Sequence, residues 1–160
     1  MKNRITSAVA VYLILENKDN DILVMRRCNI GYQDDMYQVC AGHLETGELP
    51  TQAMIREAKE ELGITLKAKD LKLVHVSARP KHDETGNRID FFFLARHWEG
   101  EPKIAEPSKC DDLRWSPNFG GLPDNTTPHV KHCIEMVYEG IFSSEFSLDW
   151  IKSHRVYGIK

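Results

Sequence analysis

Apolar residues fall along the chain in short runs separated by polar clusters, and the period of each run predicts its element. Ala8 to Leu15 is continuous and rich in β-branched residues, the pattern of a strand buried on both faces. The polar cluster Asn17-Lys18-Asp19-Asn20-Asp21 predicts a turn, and Ile22 to Met25 a second strand, so the two runs together predict a hairpin. Gly31 to Asp35 is a loop, and Tyr37 to Cys40 a short strand. A helix is expected from Pro50 to Leu62, because Pro suits the first helical position and Gly63 suits the residue just past the end. Leu49 is a poor cap beside Ser or Thr. Leu71 to Ser77 alternates as a strand does, Pro80 to Asn87 is a charged loop, and Ile89 to Ala95 is apolar and aromatic enough for a central strand. Gly100 to Pro107 is a loop, and Leu113 and Trp115 mark a brief strand. Thr127-Pro128 caps a second helix whose stripe is Val130, Cys133, Ile134, Val137 and Ile141. The tail from Ser143 carries Phe146, Leu148 and Trp150, which are expected to pack back on the body. This alternation predicts one layered domain, α/β or α+β, over residues 1–160.

Composition narrows the function classes. The length of 160 residues fits one domain, and 41% hydrophobic with 28% charged residues is ordinary for a globular chain. A formal net charge of −3 excludes a broad basic field for long nucleic acid, so a small anionic substrate would need local cations. Cys28, Cys40, Cys110 and Cys133 form no C-x-x-C pair and read as reduced thiols. The segment from Met1-Lys2-Asn3-Arg4 lacks a signal-peptide cleavage pattern, and the apolar run after it is too short to span a bilayer. A cytoplasmic protein without a membrane partner is expected, as a monomer or homodimer.

The helix at Pro50–Leu62 is where the chemistry concentrates. Glu57, Glu60 and Glu61 are related by i, i+3 and i+4, so they share one helical face. Ala53 lies one turn earlier on that face, while Ile55, Ala58 and Leu62 fall on another arc and are expected to supply the core contact. Carboxylates about 5–6 Å apart repel unless a cation sits among them. Oxygen-rich clusters suit hard ions such as Mg²⁺ or Mn²⁺. From the helix alone, a solvated acidic face balanced by Arg56 and Lys59 is the favoured reading. Flanking residues add a frame. Gly42 and Gly47 bracket a loop in which backbone can approach a ligand closely, and Glu48 can pair with Arg56.

The residues Gly42, Glu48, Arg56, Glu57, Ala58, Glu60, Glu61, Gly63 and Ile64 match the pattern G-x5-E-x7-R-E-U-x-E-E-x-G-U, U being a bulky aliphatic. In this the chain resembles the Nudix hydrolases, with Ala58 small for its slot. The resemblance implies an α/β fold, an α/β/α sandwich around a central mixed sheet. It also implies hydrolysis of a nucleoside diphosphate linkage with Mg²⁺, or Mn²⁺, held by Glu57, Glu60, Glu61 and a backbone carbonyl of Ala41 or Gly42. Glu57, Glu60 or a loop carboxylate would then serve in catalysis, while Gly42, Glu48, Arg56 and Gly63 would be structural. Beyond this box the strand order resembles MutT-type members. There Arg27, 15 residues before Gly42, falls where an arginine touches phosphate, with Arg26 beside it. Trp98-Glu99-Gly100-Glu101-Pro102 resembles a W-x-G-E-P stretch, and Glu106 beyond it falls where a metal-binding or base glutamate stands. The chain departs from the type at Cys40-Ala41, where Pro-Gly is usual.

Two substrates compete on this resemblance. Asn125, in Leu122-Pro123-Asp124-Asn125, falls where MutT-type enzymes read a purine edge, and its amide offers both a donor and an acceptor. A purine nucleoside triphosphate, intact or oxidised, is therefore ranked first. ADP-ribose or another nucleoside diphosphate sugar is the rival, because Pro80 lies 16 residues past Ile64, as a proline does in that subfamily. A Nudix fold that binds a nucleotide without cleaving it is the alternative of another class. His129, His132 and Cys133 share helical spacing but fit an ordinary amphipathic stripe better than a metal site. His75 reads as a strand residue and His82 as a loop residue, and Phe91, Phe92, Phe93 and Trp115 read as core.

Overall fold

The computed structural model describes residues 6–80, 86–118 and 120–147; the expectations for Met1–Arg4, His82, Leu148 and Trp150 lie outside these. Among the described residues, two sheets and two α-helices make three layers. Strand β1 (Ser7–Leu15) runs parallel to β6 (Asn87–Ala95) and antiparallel to β4 (Cys40–His43). Strand β5 (Lys72–Arg79) pairs antiparallel with β6, and β8 (Ser143–Glu145) adds in parallel to β5, giving the mixed order β4-β1-β6-β5-β8. The second sheet is antiparallel, with β2 (Ile22–Arg27) between β3 (Tyr37–Gln38) and β7 (Cys110–Ser116).

The alternation of strand side chains assigns each helix its layer. From β1, Val11, Leu13 and Leu15 face helix α1 (Pro50–Leu62) with Ala53, Met54, Ala58 and Leu62. Ala10, Tyr12 and Ile14 face helix α2 (Pro128–Tyr138) with Val130, Cys133 and Ile134. With both faces covered, β1 reads as an uninterrupted apolar run. The expected α/β/α sandwich with a mixed sheet is what the chain forms. No helix among the described residues is long and apolar enough to cross a membrane.

Several expectations are corrected. β1 and β2 do not form a hairpin: they lie in different sheets, joined only by a bridge between Glu16 and Ile22. Both edges of β1 are already taken by β4 and β6, so no ladder remains for β2. The polar turn therefore carries the chain from one sheet to the other. Helix α2 stops at Tyr138, short of Ile141. Gly140 adopts φ 75°, and the Ile141 N–H returns to the Met136 carbonyl at 2.9 Å, which buries Ile141 beyond the helix. Strand β7 is longer than the residues Leu113 and Trp115 suggest. Part of the tail from Ser143 forms β8, and Phe146 packs as expected. On α1, Met54 is fully buried while Ile55 is only partly so, and Ala53, placed by its spacing on the acidic face, is buried in the core. Leu49 makes no side-chain cap; instead Gln52 Oε1 accepts from its N–H at 2.9 Å. All four cysteines are buried and free.

Candidate active site

The acidic face of α1 is organised by Arg56. Its Nε and Nη2 donate to the two carboxylate oxygens of Glu48, each at 3.0 Å. Its Nη1 donates to Glu57 Oε1 at 2.7 Å and to Glu60 Oε2 at 3.2 Å, and Nη2 also donates to the His43 carbonyl at 3.0 Å. The expected Glu48–Arg56 pair is thus bidentate, the geometry that planar guanidinium recognises best. Sequence reasoning missed that the same cation also restrains two of the three glutamates and ties α1 to β4. The Glu48 carboxylate holds Arg56 protonated, and Arg56 in turn keeps Glu48 below its ordinary value.

Gly42 has a sharper role than loop freedom. It lies in β4, and a Cβ built on it would sit 1.9 Å from Glu57 Oε1. The missing side chain is the space that the Glu57 carboxylate occupies. Gly63 closes α1 in the left-handed conformation at φ 70°, as the sequence predicts, and Gly47 at φ 82° turns the loop before the helix.

Glu61 is the deeply placed member of the trio. Its Oε2 accepts from the Ala41 N–H at 3.1 Å, and the Cys40 thiol donates to the same carboxylate. Burial raises its pKa from an ordinary 4.5 to about 7, against the lowering effect of those two donors, with Glu57 and Glu106 adding to the rise. Burial also raises Glu57, opposed by Arg56. Glu60 is exposed. Glu106 is brought to this face by backbone pairing. Loop amides of Lys103 and Ala105 donate to the last carbonyls of α1, Leu62 and Glu61, each at 3.0 Å. These bonds satisfy the helix C-terminus and place Glu106 beside Glu61. Glu106 Oε1 pairs with Lys109 Nζ at 2.8 Å.

These groups line one cleft of about 550 Å³. Glu57, Glu60, Glu61, Glu106, Lys109 and the backbone of Ala41 and Gly42 form one end. Arg27 joins them. The pairing of β2 with β7 skips Asp111 between Arg26 and Arg27, a bulge that separates the two arginines. Arg26 pairs with Asp111 at 2.7 Å on the surface. Arg27 lines the cleft, donating to Gln38 Oε1 at 3.0 Å and lying 5.8 Å from the Tyr32 ring centre. Asn125 is not brought to the cleft. Its side-chain amide donates to the Asp35 carbonyl, anchoring the loop that carries Tyr32. Pro80 also stands apart, in a separate hollow beside β5 and β6.

Sequence reasoning missed the other end of the cleft, formed by Tyr12, Arg79, Arg88, His43 and His129. A signal existed: Asp90 and Tyr12 interrupt apolar strands at positions that face α2. His129 is occupied there by the Tyr12 hydroxyl at 3.2 Å, and His132 by Ser144 Oγ at 3.3 Å. His75 is buried between the Ile141 carbonyl and Ser144 Oγ, both at 2.8 Å. Phe92 and Phe93 are core, and Trp115 stacks on Trp98.

The carboxylates of Glu57, Glu60 and Glu61 together with the Ala41 carbonyl offer oxygens alone, the set a hard divalent cation takes, and buried like charges are what such an ion relieves. Among the described residues, no three metal-ligating side chains already converge on one point. Glu57 and Glu60 are turned to Arg56, and would have to exchange that partner for an ion.

Residues 6–118 match the NUDIX domain. The chain is 30% identical to the 8-oxo-dGTP diphosphatase of Escherichia coli K12 over 112 residues, 62% of this chain and 76% of that protein. It is 37% identical to the ADP-ribose pyrophosphatase of Methanocaldococcus jannaschii over 102 residues, 64% of this chain and 58% of that one. Its fold superimposes on a MutT NUDIX hydrolase from Burkholderia pseudomallei with a TM-score of 0.73 at 24% identity, covering 81% of this chain and 97% of the other. A domain match of that extent, over a cleft built from the matched glutamates, makes this chain a member of the NUDIX hydrolase family.

Proposed function

We propose that the chain hydrolyses a purine nucleoside triphosphate, including one with an oxidised base, to the monophosphate and pyrophosphate. The observation that carries this reading is the shared cleft: the α1 carboxylates, the cations Arg27 and Lys109, and a polar far end all line one space of nucleotide size. Glu57, Glu60, Glu61 and the Ala41 carbonyl would hold Mg²⁺, with Mn²⁺ a substitute of the same oxygen preference. When bound, the ion neutralises phosphate charge and acidifies the attacking water.

The chain's own groups then have distinct tasks. Arg27 and Lys109 bind phosphate oxygens and hold the diphosphate across the carboxylate end. Glu106, with Glu57 as the second candidate, takes the proton as water oxygen bonds to phosphorus and the bridging P–O bond breaks. Gly42 leaves the space that the Glu57 carboxylate occupies. Neither Asn125 nor Pro80 reaches the cleft, and a purine triphosphate is ranked above ADP-ribose because the similarity to an 8-oxo-dGTP diphosphatase spans 76% of that relative against 58% of the ADP-ribose pyrophosphatase. The similarity to an ADP-ribose pyrophosphatase keeps that substrate as the second reading. The test is a panel of nucleoside triphosphates and nucleoside diphosphate sugars with Mg²⁺ and product separation. Turnover of ADP-ribose alone would overturn the ranking.

A further inference from the structure

The far end of the cleft holds a buried ion pair. Arg79 and Asp90, 7% and 0% exposed, lie on neighbouring strands and face α2. Arg79 Nε donates to Asp90 Oδ2 at 2.5 Å and Nη2 to Oδ1 at 3.1 Å. Nη2 also donates to the Tyr12 hydroxyl at 3.3 Å. The Tyr12 hydroxyl, accepting from Arg79, also shares a hydrogen bond with His129 Nε2 at 3.2 Å. The Tyr12 ring is fixed by stacking on Phe92 at 4.6 Å between centres. Each member of the chain therefore has its orientation set by the next. Arg79 Nη1 has no hydrogen-bond partner among the described residues, and Arg79 lines the cleft. Ala10, the β1 residue opposite Asp90, also lines the cleft.

A buried ion pair is a costly way to fill a core, since an apolar pair of the same volume is often as stable or more so. Retained at a cleft wall, it presents fixed donors in a nearly neutral pair. Such donors suit a neutral acceptor better than a phosphate. Arg88, opposite Arg79 in the ladder, lines the same wall. A wall of donors matches a purine that offers oxygen at C6 and rejects one that offers an amino group there. Arginine reads guanine O6 in this way, while adenine N6 calls for an acceptor.

Resting on the proposed function, we propose that Arg79, clamped by Asp90 and Tyr12, is a specificity-determining residue that selects a 6-oxopurine over a 6-aminopurine. The test is calorimetric binding of inosine and adenosine monophosphates without metal. The two nucleotides share sugar and phosphate and differ in their purine at the C6 substituent and N1 protonation. The wild-type protein should bind the inosine form about tenfold more tightly. In the double variant Arg79→Met/Asp90→Leu, which removes both charges together, the ratio should fall to about twofold or less. Arg79→Lys keeps the charge but loses the planar fork, and it should lower the ratio too, which covers a double variant that fails to fold. Equal binding by the wild-type protein, or a preference that survives in a folded variant, overturns the assignment. The readout needs no turnover: selective binding without triphosphate hydrolysis would sink the proposed function and leave this inference standing.

Discussion

Replacing Glu61 by Gln should stabilise the metal-free protein at pH 8. Glu61 has a folded-state pKa of about 7 against an ordinary 4.5, because burial beside Glu57 and Glu106 disfavours its charge. A carboxyl with a raised folded pKa favours folding while protonated. Its contribution is complete below the unfolded value and is lost as pH rises through the folded one, so the window is about 4.5 to 7. A shift of about 2.5 units corresponds to roughly 3 kcal/mol. Gln keeps an oxygen for the Ala41 N–H and has no charge to desolvate. In EDTA, thermal melts of the wild-type protein and Glu61→Gln should diverge between pH 5 and pH 8. The variant should finish about 6–12 °C higher at this chain length. Saturating Mg²⁺ should close or reverse the gap, since only the wild type then gains binding energy. Parallel pH profiles in EDTA would refute the reasoning.

Three further outcomes follow from the same geometry. Gly42→Ala places a Cβ where the Glu57 carboxylate lies, so kcat should fall on the order of 10²-fold while the melting temperature changes little; unchanged kcat refutes the packing argument. Arg56→Lys cannot span Glu48, Glu57, Glu60 and the His43 carbonyl together, and urea titration should show about 2 kcal/mol lost with an unchanged m-value. Glu106→Gln should lower kcat by about 10²-fold or more with KM nearly constant; an unaltered kcat would move the base role to Glu57.

Helix α1 was legible because its information is local. Pro50, Gly63 and the spacing of Glu57, Glu60 and Glu61 act within a few turns of one another, and the structure places them as the sequence predicts. Partner choice between strands was not legible. The turn at Asn17–Asp21 looks the same whether β2 pairs with β1 or crosses to another sheet, and that choice depends on β4 and β6, distant in sequence. The position of Arg27 depends on a bulge opposite it in β7, and Arg26 alone gives no hint of the difference. The Arg79–Asp90 pair lies on adjacent strands, 11 residues apart, and its sequence signal was the charge inside an apolar strand. Asn125 shows the opposite failure: a residue type suited to base reading hydrogen-bonds a backbone carbonyl instead.

The central claim is that the α1 carboxylates serve a metal-dependent hydrolysis in this cleft. Its most direct test is release of pyrophosphate and nucleoside monophosphate from purine triphosphates by wild-type protein and Glu57→Gln, with Mg²⁺ and with EDTA. Turnover should require Mg²⁺ and fall by about 10²-fold or more in a variant that melts as a folded protein. Full activity in Glu57→Gln, or activity undiminished in EDTA, would contradict the account.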